Sequence, residues 1–161
     1  MADQQQGQQG PVLTIEKIYL KDASVEVPNA PAVFLENLQP QIDVQMGTQF
    51  QQVADGLFET TLQITVTAKA GDRTLFLCEA AQAGIFQIRG FGDEEMQAIL
   101  GIGCPTTIFP YARETIASLV NRAGFPPINL APVSFEQLYM QQMQQMQGQQ
   151  GGDGPRIEIA S

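Results

Sequence analysis

The chain has 161 residues, of which 43% are hydrophobic and only 16% are charged, and its 17 acidic residues against 8 basic ones give a net charge of −9. This length and composition indicate a single domain with a hydrophobic core. The acidic balance argues against nucleic-acid binding, which needs clustered Lys and Arg to neutralise phosphates, and it would also repel an anionic membrane. A basic partner protein would be attracted instead.

The residue types that the sequence lacks restrict the kinds of catalytic and metal site that it could form. The sequence contains no His and only two Cys, Cys78 and Cys104, which do not form a Cys-x-x-Cys pair. The most common general base and metal ligand is therefore absent, and we expect no metal site. The start lacks the pattern of a signal peptide, and no run of about 20 apolar residues occurs. We expect a cytoplasmic protein with reduced thiols and no direct membrane insertion.

Both ends of the chain are rich in Gln and Gly and contain few side chains that could bury apolar area. Because such segments cannot offset the entropy lost on ordering, residues 1–11 and 144–161 are predicted to be flexible tails. The folded domain is expected to cover residues 12–143.

Alternation of apolar and polar residues predicts four strands in the first part of this domain. The first begins near Val12 and ends before the proline-containing segment 28–31, and the second covers residues 40–46. The third, over residues 61–68, has the clearest alternation, and the fourth covers about residues 74–89. Turn signals containing Gly separate the last three strands, so neighbouring strands are expected to be antiparallel.

The fourth strand is apolar on both faces. Phe76, Cys78 and Ala80 share one face, whereas the other face carries Leu75, Leu77, Glu79 and Ala81. A sheet with two apolar faces is expected to be covered on both sides. We therefore predict helices on one side and another subunit on the other.

The hydrophobic period changes to about 3.6 after the fourth strand, which predicts helices. Asp93 is expected to cap the first helix, and glycines soon interrupt it. A second helix is predicted from near Pro110 to Gly124, and a third begins at Ser134, which forms a capping-box pattern with Gln137. Four antiparallel strands followed by helices indicate an α+β fold.

Three patterns could suggest an enzyme, and each has a more ordinary explanation. Cys78 and Cys104 have no His to activate them and fit buried apolar positions. The acidic run 93–95 suits a helix start, because adjacent helical residues do not face one another. Two glycines at 101 and 103 do not complete a phosphate-binding loop. An enzyme using a Cys or carboxylate site and a structural oligomer without a ligand remain the alternative hypotheses.

Met140, Met143 and Met146 recur every three residues near the end of the third helix. Thioethers at this spacing could bind Cu(I), but the frayed end of an amphipathic helix is the favoured interpretation. Flexible Met side chains also suit adaptable binding surfaces.

Two further segments have two possible functions each. Asp22 and Glu26 share one face of the first strand, and Glu79 shares a face with apolar neighbours on the fourth. Such acids are either simply solvated or form a docking surface for a basic protein. The loop 125–133 is apolar and stiffened by three prolines, so it either packs down as a crossover or walls an apolar groove.

Several motifs, in the expected order, resemble the bacterial export chaperones of the SecB family over roughly residues 12–143. These motifs are Tyr19-Leu20-Lys21-Asp22, Glu26-Val27-Pro28-Asn29-Ala30-Pro31, Phe76-Leu77-Cys78-Glu79, Ile108-Phe109-Pro110-Tyr111-Ala112-Arg113-Glu114 and Phe125-Pro126-Pro127-Ile128-Asn129-Leu130-Ala131-Pro132-Val133-Ser134-Phe135.

The resemblance implies a four-stranded antiparallel sheet with two C-terminal helices packed on one face, assembled as a homotetramer that is a dimer of dimers. It implies an ATP-independent chaperone, not an enzyme, without a cofactor. Such a protein would bind unfolded preproteins, keep them translocation-competent and deliver them to the export ATPase SecA.

The resemblance also implies functions for particular residues. Asp22, Glu26, Leu77 and Glu79 would bind SecA, and Cys78, Ala80 and Gln82 would lie on the strand that builds subunit interfaces. The groove for unfolded clients would be lined by apolar residues of the sheet, the loop and the last helix. These are Ile42, Val44, Phe76, Phe125, Ile128, Leu130, Phe135 and Leu138.

Overall fold

A computed structural model describes residues 10–148 and contains one antiparallel sheet. Its strands are β1 (Val12–Glu26), β2 (Gln41–Ala54), β3 (Leu57–Ala70) and β4 (Arg73–Arg89). The strand order is β1-β4-β3-β2, so β1 and β2 form the two edges. The predicted α+β class and four-stranded antiparallel sheet are confirmed.

Tight turns join the last three strands. Gly56 and Gly71 lie in these turns with φ of 68° and 63°, a left-handed conformation that glycine adopts without steric cost. β2 is much longer than the predicted 40–46. After Met46 polar residues replace the alternating pattern, but pairing with β3 continues, past a register shift, as far as Ala54 opposite Leu57. Cross-strand hydrogen bonding therefore extends β2 where its own side chains show no pattern.

The first two helices form one continuous helical segment. Helix α1 (Asp93–Ala98) passes through a π-helical turn (Ile99–Gly103) into α2 (Cys104–Arg122). The predicted start near Pro110 is wrong, because Pro110 lies inside α2 and the preceding glycines widen the helix without breaking it. Asp93 is also not the cap, since Gly92 holds that position and no side chain caps the first turn.

Helix α2 ends as predicted at Gly124, whose φ of 95° terminates the helix. Helix α3 (Phe135–Gly148) begins after Ser134, whose Oγ accepts a hydrogen bond of 3.3 Å from the Gln137 backbone N–H. It extends past residue 143, the predicted end of the folded domain. Most of the predicted tail 1–11, and residues 149–161 of the predicted tail 144–161, lie outside the described residues.

The hydrophobic core lies between α2 and one face of the sheet. Ile108, Ala112, Ile116 and Val120 follow the helical period along α2, and all four are fully buried. They face side chains of β3 and β4 that are also fully buried or nearly so. These are Leu62, Ile64, Val66, Cys78, Ala80 and Phe86.

Helix α3 is attached to the rest of the chain by few contacts. Phe135 is the residue in α3 that is buried, and its ring meets the Phe109 ring edge-on with centroids 6.0 Å apart. Tyr139 lies against Gly101 in the π-helical turn so closely that a Cβ at Gly101 would be 2.6 Å from the ring. Because Gly101 has no side chain, the Tyr139 ring can pack directly against its backbone, and this contact helps to position α3.

Candidate functional site

A groove of about 660 Å³ runs between α3 and the edge of the sheet. Its sheet side is formed by residues 45–50 of β2 together with polar side chains of β3, and its helical side by α3 and the π-helical turn. The apolar lining consists of Met46, Phe50, Phe135, Leu138, Tyr139, Met143 and Met146. Glutamine side chains supply most of the polar lining.

The β2 strand forms both a wall of the groove and a free sheet edge. Within residues 10–148 it pairs with β3 alone, so every second backbone N–H and C=O along its outer side has no sheet partner. The groove thus places apolar side chains beside unpaired backbone groups. These are the two kinds of group that an extended, unfolded chain also presents.

Two of the eight residues predicted to line a client groove, Phe135 and Leu138, lie in this one, although Phe135 is itself only 4% exposed and forms the floor rather than an open wall. Val44, Phe76 and Leu130 are at most 4% exposed and belong to the core of the chain, so they offer little surface to a ligand. Substituting Leu130 would consequently disturb packing before it disturbed binding.

Phe76 and Phe125 belong to an aromatic cluster rather than to the groove. The Phe125 ring contacts those of Phe34 and Phe76, with centroids 5.1 Å and 4.9 Å away. Phe34 is half-exposed, whereas Ile128 in the following loop is partly buried against the core. Ile42 is also partly buried, and it lies on β2 in the row that continues through Val44 into the groove.

Sequence patterns missed most of the groove. Phe50 is 47% exposed and stands in a polar stretch without alternation, so only the pairing of β2 with β3 places it. The sequence shows the regular spacing of Met143 and Met146, but it does not show that β2 lies opposite these two side chains. Their arrangement with Tyr139 around one groove depends on where α3 is anchored.

The four residues predicted to bind SecA lie together on the other face of the sheet. Glu26 pairs opposite Leu77, Ser24 opposite Glu79 and Asp22 opposite Ala81, and directly opposite residues share a face. This face points away from α2. Asp22 and Glu26 are exposed, whereas Leu77 and Glu79 are partly buried. The register therefore gathers three carboxylates around one leucine.

The residues predicted at subunit interfaces, Cys78, Ala80 and Gln82, lie on the opposite side of β4 beneath α2. All three are at most 4% exposed in the chain, and the Thr115 hydroxyl on α2 donates to the Gln82 side-chain oxygen at 3.4 Å. Burial, followed by the nearby charge of Glu79, raises the pKa of the Cys78 thiol to about 11. An effect of these residues on subunit contacts would be transmitted through α2, and their interface function remains a prediction.

An exposed apolar strip occupies the other edge of the sheet. Leu13, Ile15 and Leu20 on β1 and Tyr111 on α2 are each about half exposed, between 48% and 54%. A shallow depression separates β1 from α2 where Leu20 and Tyr111 meet. This edge strip is a second surface that the sequence patterns did not reveal.

A polar cluster centred on Glu59 ties the strands together on the face without helices. Glu59 is 9% exposed and accepts hydrogen bonds from the Tyr19 hydroxyl, from Lys21 Nζ at 2.9 Å and from Gln51 Nε2 at 3.1 Å. The hydrogen bonds from Tyr19 and Lys21 lower the pKa of Glu59. Burial, reinforced by Glu59, raises the pKa of Tyr19 to about 12. The cluster links β1, β2 and β3 across β4.

These surfaces define a class of α+β binding proteins in which an apolar groove adjoins a free strand edge. Among residues 10–148, none of the helices combines the length and apolar character needed to cross a bilayer. In the same part of the chain, no group of His, Cys, Asp and Glu side chains is placed to hold a metal ion.

Comparison with known proteins gives the family. The family model described as preprotein translocase subunit SecB matches residues 5–146. The protein-export protein SecB of Chromobacterium violaceum is 61% identical over 142 residues, covering 88% of this chain and 93% of the relative. That of an Azoarcus species is 56% identical over 133 residues, covering 82% and 88%. The chain belongs to the SecB family of protein-export chaperones.

A solved structure shares the fold. A SecB-like chaperone of Mycobacterium tuberculosis, determined in complex with a peptide from an antitoxin, matches with a TM-score of 0.63 at 18% sequence identity. The match covers 76% of this chain and 91% of that chain. At this identity the similarity establishes the common fold.

The Glu59 cluster leads to a prediction about pH. Because the folded-state pKa of Glu59 lies below its unfolded value, its contribution to stability is present above the unfolded pKa and is lost as pH falls through the folded one. We expect Glu59→Gln to lower the free energy of unfolding by about 1–3 kcal/mol at pH 7. The deficit should shrink in acid. Urea unfolding of both proteins at pH 7 and pH 3 measures it, and an equal deficit at both values would contradict the prediction.

Proposed function

We propose that this chain is an ATP-independent chaperone, not an enzyme, that works in the cytoplasm and transfers unfolded preproteins to the SecA motor. The observation that carries the proposal is the apolar groove beside the unpaired edge of β2. An unfolded chain must satisfy backbone hydrogen bonds and bury apolar side chains at once, and this groove offers partners for both.

The row of side chains on β2 sets the length of chain that the groove accommodates. Ile42, Val44, Met46 and Phe50 lie on the same side of the strand, the side facing the helices. At about 3.3 Å per residue, the segment from Ile42 to Phe50 spans roughly 26 Å. A client segment of about eight extended residues would cover it. The aromatic cluster around Phe125 lies near the start of this row, since Phe76 and Ile42 both pair with Ala68.

The composition of the groove favours many clients over one. Met side chains adapt to different shapes, and Gln can either donate or accept a hydrogen bond. Backbone pairing along β2 depends little on the client's sequence. Affinity per groove would be moderate, so several grooves in one assembly would strengthen binding through effective concentration. Release then needs only a competing partner, and no nucleotide is required.

The assembly is proposed to be a homotetramer, a dimer of dimers. The half-exposed apolar strip along β1 supports self-association, because its residues flank a free strand edge that a second copy could pair with. Pairing of β1 with β1 would extend the sheet across two subunits. Cys78, Ala80 and Gln82 would support the contact between subunits indirectly, by setting the position of α2.

The acidic face is proposed to receive SecA. Asp22, Glu26 and Glu79 surround Leu77, which gives a charged rim around an apolar centre. Such an arrangement suits a basic partner: the carboxylates attract it, and the leucine is buried on contact. The groove and the acidic face adjoin at Thr65, which lines the groove and donates a hydrogen bond of 3.4 Å from its hydroxyl to Glu79. A bound client and the motor would therefore lie close to one another on the sheet.

The groove is tested by placing a charge in it. Phe50→Asp should weaken binding of an unfolded client at least about tenfold, because a carboxylate would be buried where an aromatic ring now meets the client. The matched control is Leu35→Asp, which alters an equally apolar but 85% exposed residue outside the groove. Fluorescence anisotropy with a labelled unfolded protein measures both. Equal affinities for the two variants would show that clients bind elsewhere.

Assembly is tested at the β1 edge. The wild type should sediment at about four times 17.5 kDa. We expect Ile15→Asp and Leu20→Asp to reduce this mass, because each would bury a charge in the proposed contact between subunits. Leu35→Asp again serves as the control and should sediment like the wild type. A monomeric wild type at micromolar concentration would refute the proposed tetramer.

Motor binding is tested by reversing charge on the acidic face. Glu26→Lys combined with Glu79→Lys should weaken SecA binding by about tenfold or more and slow association. Added salt should lower the affinity of the wild type more than that of the variant. Asp72→Lys in the β3–β4 turn combined with Glu94→Lys in α1 reverses the same number of charges away from this face. Calorimetric titration distinguishes them, and wild-type affinity in the Glu26→Lys/Glu79→Lys variant would exclude this surface.

A further inference from the structure

Helix α3 carries exposed methionines, and only some of them lie in the groove. Met143 and Met146 line it and are 48% and 81% exposed. Met140, on the same helix and 58% exposed, does not line it. Met46 faces the groove from β2 but is partly buried against the core. The helix therefore presents chemically equivalent thioethers to two different environments.

We propose that Met143 and Met146 are an oxidation site through which peroxide lowers the affinity of the groove for unfolded clients. The inference rests on the proposed function, in which this groove binds clients. In the reaction the thioether sulfur attacks one oxygen of hydrogen peroxide and the O–O bond breaks. The sulfur gains that oxygen as a sulfoxide and is oxidised by two electrons, while the other oxygen leaves as water.

The thioethers, not the thiols, are the accessible sulfur atoms in the described chain. Cys78 and Cys104 are at most 1% exposed, lying between the sheet and α2. Burial also raises the pKa of each thiol to about 11, so the thiolate that reacts with peroxide is scarce at neutral pH. A thioether has no proton to lose, and its oxidation depends mainly on access. Met143 and Met146 have that access.

Oxidation would change the groove where a client touches it. A sulfoxide oxygen is a strong hydrogen-bond acceptor, and covering it with an apolar client side chain would leave it without a partner. The flexible, polarizable thioether, which adapts to many client shapes, would be lost at the same time. The helical backbone of α3 would be little affected, because both side chains project away from the core. Sulfoxide reductases reverse the change by converting two thiols to a disulfide and releasing water.

The experiment compares each protein with its own peroxide-treated form, using fluorescent, reduced and carboxamidomethylated α-lactalbumin as the unfolded client. Mass spectrometry of peptides records which methionines are oxidised. We expect treatment to weaken client binding of the wild type by about tenfold. Met140→Leu should lose affinity equally, since its groove residues remain oxidisable. The Met143→Leu/Met146→Leu double variant should keep the affinity of its untreated form.

The outcomes separate the two proposals. An untreated wild type that does not bind the client would refute the groove as a chaperone site, and the oxidation site with it. A wild type oxidised at Met143 and Met146 that binds as tightly as before would overturn the oxidation site alone. Equal losses in the double variant and the wild type would also overturn it.

Restoration by dithiothreitol would indicate thiol chemistry and contradict the proposal, whereas restoration by a methionine sulfoxide reductase would support it. Sedimentation and circular dichroism should be unchanged by treatment, and a loss of assembly or helix would overturn the inference.

Discussion

Helix α2 covers one face of the sheet only, and the remaining surfaces follow from this asymmetry. The apolar residues of β3 and β4 on the covered face are fully buried against Ile108, Ile116 and Val120. The other face must then be stable in contact with water or a partner, and both edge strands remain unpaired within residues 10–148. Covering one face with α2 therefore leaves three surfaces open, the acidic face, the β1 edge and the β2 groove, and each is proposed above to bind a different partner.

On the face of the sheet without helices, a polar cluster covers the central strands. Ala83 on β4 is completely buried although no helix lies above it, and Glu59 beside it is nearly so. Tyr19, Lys21 and Gln51 converge on the Glu59 carboxylate from both edge strands, which satisfies the buried charge and shields the strand between them. The Glu59 cluster fixes the relative position of β1 and β2, the strands that form the two proposed contact edges. The two edge strands are thus connected by one hydrogen-bonded network in the middle of the sheet.

Local patterns predicted the strands well but not the positions that depend on distant contacts. Alternation located β3 and β4, because both are central and their inward residues must be apolar. In β2 the alternation ends at Met46, and beyond that residue only the pairing with β3 maintains the strand. The helix start was misplaced because Pro110 is a strong local signal, yet it is tolerated within α2. The acidic face could be predicted by resemblance to a family, and the register brings its residues together. The groove could not be predicted from the sequence, because it forms only when Tyr139 packs against Gly101 and α3 lies opposite β2.

The β2 edge lacks the protection that exposed strand edges usually have. Most proteins protect edge strands with charges or proline, but from Gln45 to Gln52 this strand has neither. It carries glutamines, a glycine and a single large aromatic residue, so the edge stays open to an incoming chain. Two features limit unwanted pairing: the net charge of −9 repels other copies at long range, and α3 lies across the approach to the edge. In the proposed function an incoming segment enters between α3 and β2, and an extended chain brings no neighbouring strands with it, whereas a strand of a folded sheet does. The shape of the groove, more than its sequence preference, would then select unfolded clients.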